Sequence, residues 1–341
     1  MNKRILIGFA IAFTLLLCIS SCVKKYLPSD KDAIGNNARF LTTTYTPILG
    51  RNTLMTNNFD PGNSTQPLTF SIVNIKKSNG DPATELTDVF PVQIWKTAYT
   101  GLETSIAQID SERTTEYHHL FEIREHSGEF LMWAPAKSSF VATQPDSGYV
   151  FDVEVSNSGG RQFFRNLRLK PLKEQPYVPS NLDPITGQAT QAGVNPSYLT
   201  GIVGEHSDLP LGTSDVSVFF YKVGDGNTLT FKFLDTLYHP IDPHKFNTTN
   251  WQHLVHGFNM RMTDSSVTYD VAYPIPLVKG LKTNYTDPSG NYAYTRFNYS
   301  RIGFGGAVQP AELGFYFQLY EPGDWQIIFQ FKKDNPKFED E

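Results

Sequence analysis

Residues 239–256 (HPIDPHKFNTTNWQHLVH) hold the densest set of side chains able to do chemistry, with His239, His244, His253 and His256 around Asp242. His253 and His256 are three apart, a spacing that can bring two imidazoles to one face of a helical turn and so to a metal. The acid of a metalloprotease helix is missing, however, and the remaining histidines sit in a Pro/Asn/Thr-rich loop. The stretch therefore reads as a solvated loop, and no metal or other cofactor is expected. His118 and His119 are adjacent, and neighbouring residues of a strand point to opposite faces, so they cannot readily share one ion. Glycoside hydrolysis needs two carboxyls about 5–10 Å apart. Asp264, Asp270, Glu312 and Glu321 are available, but no local motif pairs any two of them. Nucleophile-elbow, P-loop and dinucleotide-binding motifs are absent from the sequence, and a non-catalytic protein is expected.

Aromatic side chains are the stronger candidates for binding. Sugar rings present apolar C–H faces that lie against Trp and Tyr, while Asn, Gln and Asp can hydrogen-bond the hydroxyls. Trp251, and Tyr285, Tyr292 and Tyr294 with Asp287 and Asn291, are the candidate ligand-binding residues. A second chemistry lies at the start of the chain. Lys3 and Arg4 precede an apolar run over residues 5–17, too short to span a bilayer and typical of an export signal. It ends Ile19-Ser20-Ser21-Cys22, the pattern of a bacterial lipobox, in which the cysteine is acylated and becomes the new N-terminus. More than one acyl chain gives stable anchoring, so Cys22 is the expected lipidation site and the membrane an expected partner. The only other cysteine, Cys18, lies inside the signal, so the mature body is expected to fold without disulfides.

The elements that must position these residues are strands. Aromatics make up 13% of residues and charged residues only 18%, with abundant Gly and Pro, the composition of short strands joined by tight turns. A formal net charge of −5 offers no basic stripe, and nucleic acid is excluded as a partner. Residues 68–75 alternate apolar and polar as a half-buried strand does, and 89–95 extends again. Leu102, Ile106 and Ile109 predict a short helix within 101–113. Residues 149–156 and 162–169 flank Asn157-Ser158-Gly159-Gly160 and predict a hairpin. The same reasoning predicts a hairpin of 216–223 with 228–234, and another of 313–320 with 325–331 across Glu321-Pro322-Gly323-Asp324. The charged tail 332–341 is expected to be solvated.

The fold class expected is all-β, two antiparallel sandwich domains, the first Ig-like and the second jelly-roll-like. The divisions are a signal over 1–22, a tether over 23–40, the first sandwich over 41–172, a Pro-rich linker over 173–196, and the second sandwich over 197–341. The lipobox ending in Cys22, the polar tether and the stretches Tyr45-Thr46-Pro47-Ile48-Leu49-Gly50-Arg51 and Pro67-Leu68-Thr69-Phe70 resemble an uncharacterised family of Bacteroidetes surface lipoproteins. That family is similar to the SusE/SusF-like partners of SusC/SusD-type glycan-uptake systems. The resemblance implies non-catalytic binding of a polysaccharide or oligosaccharide beside a SusC/SusD-like pair. It also implies an outer-membrane location, with the cell surface favoured over the periplasmic face. An adhesin or structural assembly component is the first alternative, and a glycan-active hydrolase the second.

Overall fold

The structure is a computed structural model that describes residues 31–341. The signal, Cys22 and the tether as far as residue 30 lie outside the described residues. Among the described residues, no helix is long and apolar enough to cross a membrane.

The fold is all-β. Its first unit holds β1 (Arg39–Phe40), β2 (Thr44–Tyr45), β3 (Thr53–Met55), β4 (Phe59–Asp60), β5 (Thr69–Lys77), β6 (Val89–Trp95), β7 (Arg113–His119), β8 (Phe121–Ile123), β9 (Phe130–Met132), β10 (Tyr149–Asn157) and β11 (Gly160–Leu169). A four-stranded sheet, β2–β11–β10–β5, faces a three-stranded sheet, β3–β9–β8. Phe70, Phe151, Val153 and Leu169 from one sheet meet Phe121, Phe130 and Met132 from the other in one buried core. Four strands over three give an Ig-like sandwich. The 149–156/162–169 hairpin forms as predicted, closing where Asn157 pairs with Gly160. The predicted helix is confined to Ile106–Ser111, capped by the Ser105 hydroxyl accepting from Gln108 N, because Arg113 onward pairs with β6.

The second unit holds β12 (Tyr177–Val178), β13 (Tyr198–Thr200), β14 (Val216–Gly224), β15 (Thr228–Leu234), β16 (Gly257–Thr263), β17 (Ser266–Val271), β18 (Ala293–Ile302), β19 (Val308–Leu319) and β20 (Asp324–Phe331). One layer is β14–β20–β15–β17–β16; in the other, β19 pairs with β18 on one edge and with β12 and β13 on the opposite edge. Phe231, Phe233, Phe297, Phe317 and Phe329 interlock between the layers. Burying each such ring is worth about 1.5–3 kcal/mol. Tyr177 and Val194 belong to this core, although both fall within the Pro-rich stretch 173–196.

Two predicted hairpins are corrected. Residues 216–223 and 228–234 do not pair with each other, because β20 lies between them, antiparallel to β14 and parallel to β15. The Asp324 carboxylate accepts from Gly226 N (3.0 Å), Thr228 N (3.2 Å) and Thr228 Oγ1 (2.7 Å), which fastens the start of β20 inside that turn. Residues 313–320 and 325–331 likewise do not pair with each other, since β19 and β20 lie in opposite layers. Each turns an apolar face to the shared core, and stacking across that core buries both. Turn residues fixed where the chain reverses, not which strand it then meets. The tail is corrected as well: Asp334 is only 6% exposed, Phe338 packs on Tyr299 and Phe246, and Glu341 pairs with Arg301 at 3.0 Å.

Candidate ligand-binding site

Strand alternation builds a partly exposed outward face on the sheet around β19. Leu313, Phe315, Phe317 and Leu319 point into the core, so Glu312, Gly314, Tyr316 and Gln318 must point outward. On β18, Thr295, Phe297 and Tyr299 are buried, which turns Tyr294, Arg296 and Asn298 out. The register sets Tyr294 opposite Tyr316, Arg296 opposite Gly314 and Asn298 opposite Glu312. Tyr198 of β13 faces Gly314 from the other side.

These residues touch. The rings of Tyr294 and Tyr316 stack with centroids 4.4 Å apart, and the Arg296 guanidinium lies 5.2 Å from the Tyr294 centroid. The Tyr198 ring occupies the space that a Cβ on residue 314 would take, so glycine is required there by close approach. The Tyr198 hydroxyl donates to Glu312 Oε1 and is also hydrogen-bonded to the Tyr294 hydroxyl. Burial pushes the Glu312 carboxyl above its ordinary value. Further along β19, Gln318 Nε2 donates to the Asn291 carbonyl (2.6 Å) and Gln318 Oε1 accepts from the Tyr320 hydroxyl (2.7 Å).

Of the sequence candidates, Tyr294 is at the centre of this face. Asn291 flanks it through Gln318, beside Tyr292, which is half-exposed. Asp287 shapes the adjoining turn, accepting from Asn291 N and Tyr292 N at 2.8 Å each. Tyr285 lies elsewhere, stacked on His256 at 4.7 Å and lining a cavity of about 20 Å³, which is room for about one water. Trp251 is also elsewhere, packed on Phe233 and Phe297 of the core. Sequence reasoning missed Tyr198, Tyr316 and Arg296, and weighed Glu312 only as a hydrolytic acid. The alternation of residues 312–320 was a signal for Glu312 and Tyr316. Nothing local marks Tyr198.

Three of the four loop histidines are separately engaged. His239 pairs with Asp235 (3.2 Å), His244 with Asp242 (2.7 Å), and His256 with Tyr99 and the Glu103 carbonyl. Among the described residues no cluster of three or more His, Cys, Asp or Glu side chains is placed to hold a metal. The same loop covers an edge of β18: Asn247 accepts from Ser300 N and donates to Ser300 O, while Thr249 Oγ1 does the same for Asn298. A broader groove of about 620 Å³ on the first sandwich is lined by Asn74, Lys76, Asp152, Arg165 and Asn166 and contains no aromatic ring.

A family model described as "Domain of unknown function (DUF5007)" matches residues 59–340. No curated protein matches the chain. Among solved structures, one described as "Sidekick-1 immunoglobulin domains 1-5" is similar at 10% identity and a TM-score of 0.18, over 89% of this chain and 39% of that one.

Proposed function

The chain belongs to the DUF5007 family, and on that premise we propose that it is a lipid-anchored, non-catalytic glycan-binding protein of the outer-membrane surface. In this reading it serves a SusC/SusD-type uptake system and is related to the SusE/SusF-like lipoproteins of Bacteroidetes. The observation that carries the binding role is the cluster of Tyr198, Tyr294 and Tyr316 with Glu312 on one outward sheet face. Aromatic rings supply apolar contact for sugar C–H faces, and carboxyl, amide and phenol groups supply directed hydrogen bonds. The anchoring role is supported by the sequence Ile19-Ser20-Ser21-Cys22.

Affinity electrophoresis through gels containing a panel of polysaccharides tests the binding role. At least one glycan should retard the protein, and Tyr316→Ala should weaken that retardation about tenfold with an unchanged circular dichroism spectrum. Retardation by no glycan overturns the reading. Cys22→Ser should abolish labelling by radioactive palmitate and release the protein from membranes; persistent attachment overturns the anchor. A specific feature favours the adhesin alternative: Phe304 is 90% exposed at the tip between β18 and β19, beside exposed Val308. Under that alternative, Phe304→Ser would abolish attachment to a partner and Tyr316→Ala would not.

A further inference from the structure

We propose that the ligand of the tyrosine face is an acidic polysaccharide, and that Arg296 selects it by holding a uronate carboxylate. The inference rests on the glycan-binding reading and adds the charge of the sugar. Arg296 points outward from β18 and is exposed. Among the described residues it has no ion-pair partner within 4.0 Å, and its side chain donates no hydrogen bond. Glu312 is its diagonal neighbour across the strand pair, at a separation long side chains bridge. The guanidinium nevertheless turns the other way, over the Tyr294 ring. A guanidinium drawn to an aromatic face by the ring quadrupole keeps its N–H groups available for a further partner. Those groups form a planar fork whose geometry matches a carboxylate with two parallel hydrogen bonds.

Glu312 is the acid at the centre of the face; burial raises its pKa, and its Oε1 is already occupied by the hydrogen bond that the Tyr198 hydroxyl donates. At the far end of β19, Arg51 lies 4.3 Å over the Tyr320 ring and its Nη2 donates to Gln175 Oε1 at 3.4 Å. Between Arg296 and Arg51, Gln318 is only 4% exposed and is engaged by Asn291 and Tyr320, so Arg296 beside Tyr294 and Tyr316 is the basic group that the face presents. The protein as a whole is acidic, so general electrostatic attraction would not draw an acidic polymer in.

The experiment uses the full chain in affinity gels containing polygalacturonate, alginate, fully methyl-esterified pectin or neutral β-glucan. Retardation by at least one uronate polymer is expected, with at least tenfold weaker binding to methyl-esterified pectin than to polygalacturonate if polygalacturonate is the polymer bound. Arg296→Ala should weaken uronate binding about tenfold or more. Arg296→Lys should recover part of it, since a point charge replaces the fork. Neutral glucan binding with no uronate binding overturns this inference and leaves the glycan reading standing. Uronate binding unaffected by Arg296→Ala overturns the role of Arg296. Binding to none of the four overturns the acidic ligand, and the wider polysaccharide panel then decides the glycan reading separately.

Discussion

Tyr99 donates its hydroxyl to His256 Nδ1 at 2.5 Å, across the seam between the two-stranded β6–β7 ribbon of the first unit and the second sandwich. His256 Nε2 must carry the proton, because its partner at 2.8 Å is the carbonyl of Glu103. The two ring nitrogens of His256 therefore tie both ends of the Tyr99–Glu103 loop. Glu103, 4% exposed, holds that loop in shape by accepting from Thr100 N, Thr100 Oγ1 and Gly101 N. Ile109, Ala272 and Leu277 fill a small core beneath it.

Tyr99→Phe removes one hydroxyl and leaves Nδ1 facing the seam without a donor. An unpaired buried acceptor costs about 1–3 kcal/mol. The urea midpoint should fall accordingly, and the ribbon over residues 89–119 should become more sensitive to limited proteolysis. An unchanged midpoint would mean water replaces the phenol at no cost.

Gly314→Ala places a methyl where the Tyr198 ring lies. The ring must swing away from Glu312 and Tyr294, at an overpacking cost of about 1–3 kcal/mol. Glycan retardation should weaken more than stability falls, and pairing the change with Tyr198→Ala should restore stability without restoring binding. Calorimetry alongside affinity gels measures both.

The His206–Asp334 pair gives a pH signature. Burial pushes the Asp334 carboxyl up, but hydrogen bonds from His206 and Ser207 outweigh it and hold the group far below the usual carboxylate range. The hydrogen bond and charge of Asp334 in turn raise the pKa of His206. A raised histidine stabilises below its unfolded value of about 6.5 and loses that contribution as pH climbs through its folded value. A lowered aspartate stabilises above about 3.9 and loses its contribution as pH falls through its folded value. Denaturation midpoints should therefore rise from pH 8 to pH 5.5 and decline below about pH 4. His206→Ala should shrink the rise, and Asp334→Asn should flatten the acid decline.

Asp324→Ala should destabilise the second unit by about 1–2 kcal/mol, since Gly226 N, Thr228 N and Thr228 Oγ1 lose their shared acceptor. Its pKa is lowered, first by the Thr228 hydroxyl, so this contribution too is present above about pH 3.9 and fades in acid. Asp324→Asn, which keeps one acceptor oxygen, should cost less. Equal stability of all three proteins by urea titration would refute a fastening role for this carboxylate.

Local pattern alone determined the all-β class, the position of most strands and the β10–β11 hairpin, because side-chain alternation and turn chemistry act between residues close in the chain. It also marked Tyr294, whose strand reads directly from the alternation over residues 293–302. Only the tertiary structure decided that β20 enters between β14 and β15, and that the tail is fastened by Asp334 and Phe338. The same holds for Tyr198 lying on Gly314 beside Tyr294. Partner choice between distant strands depends on which apolar faces can be buried together across a core, and no window of sequence carries that information. Trp251 shows the converse. Its loop composition is that of an exposed binding segment, yet packing against Phe233 and Phe297 drew the ring onto the core, since a ring that size is worth more buried than solvated.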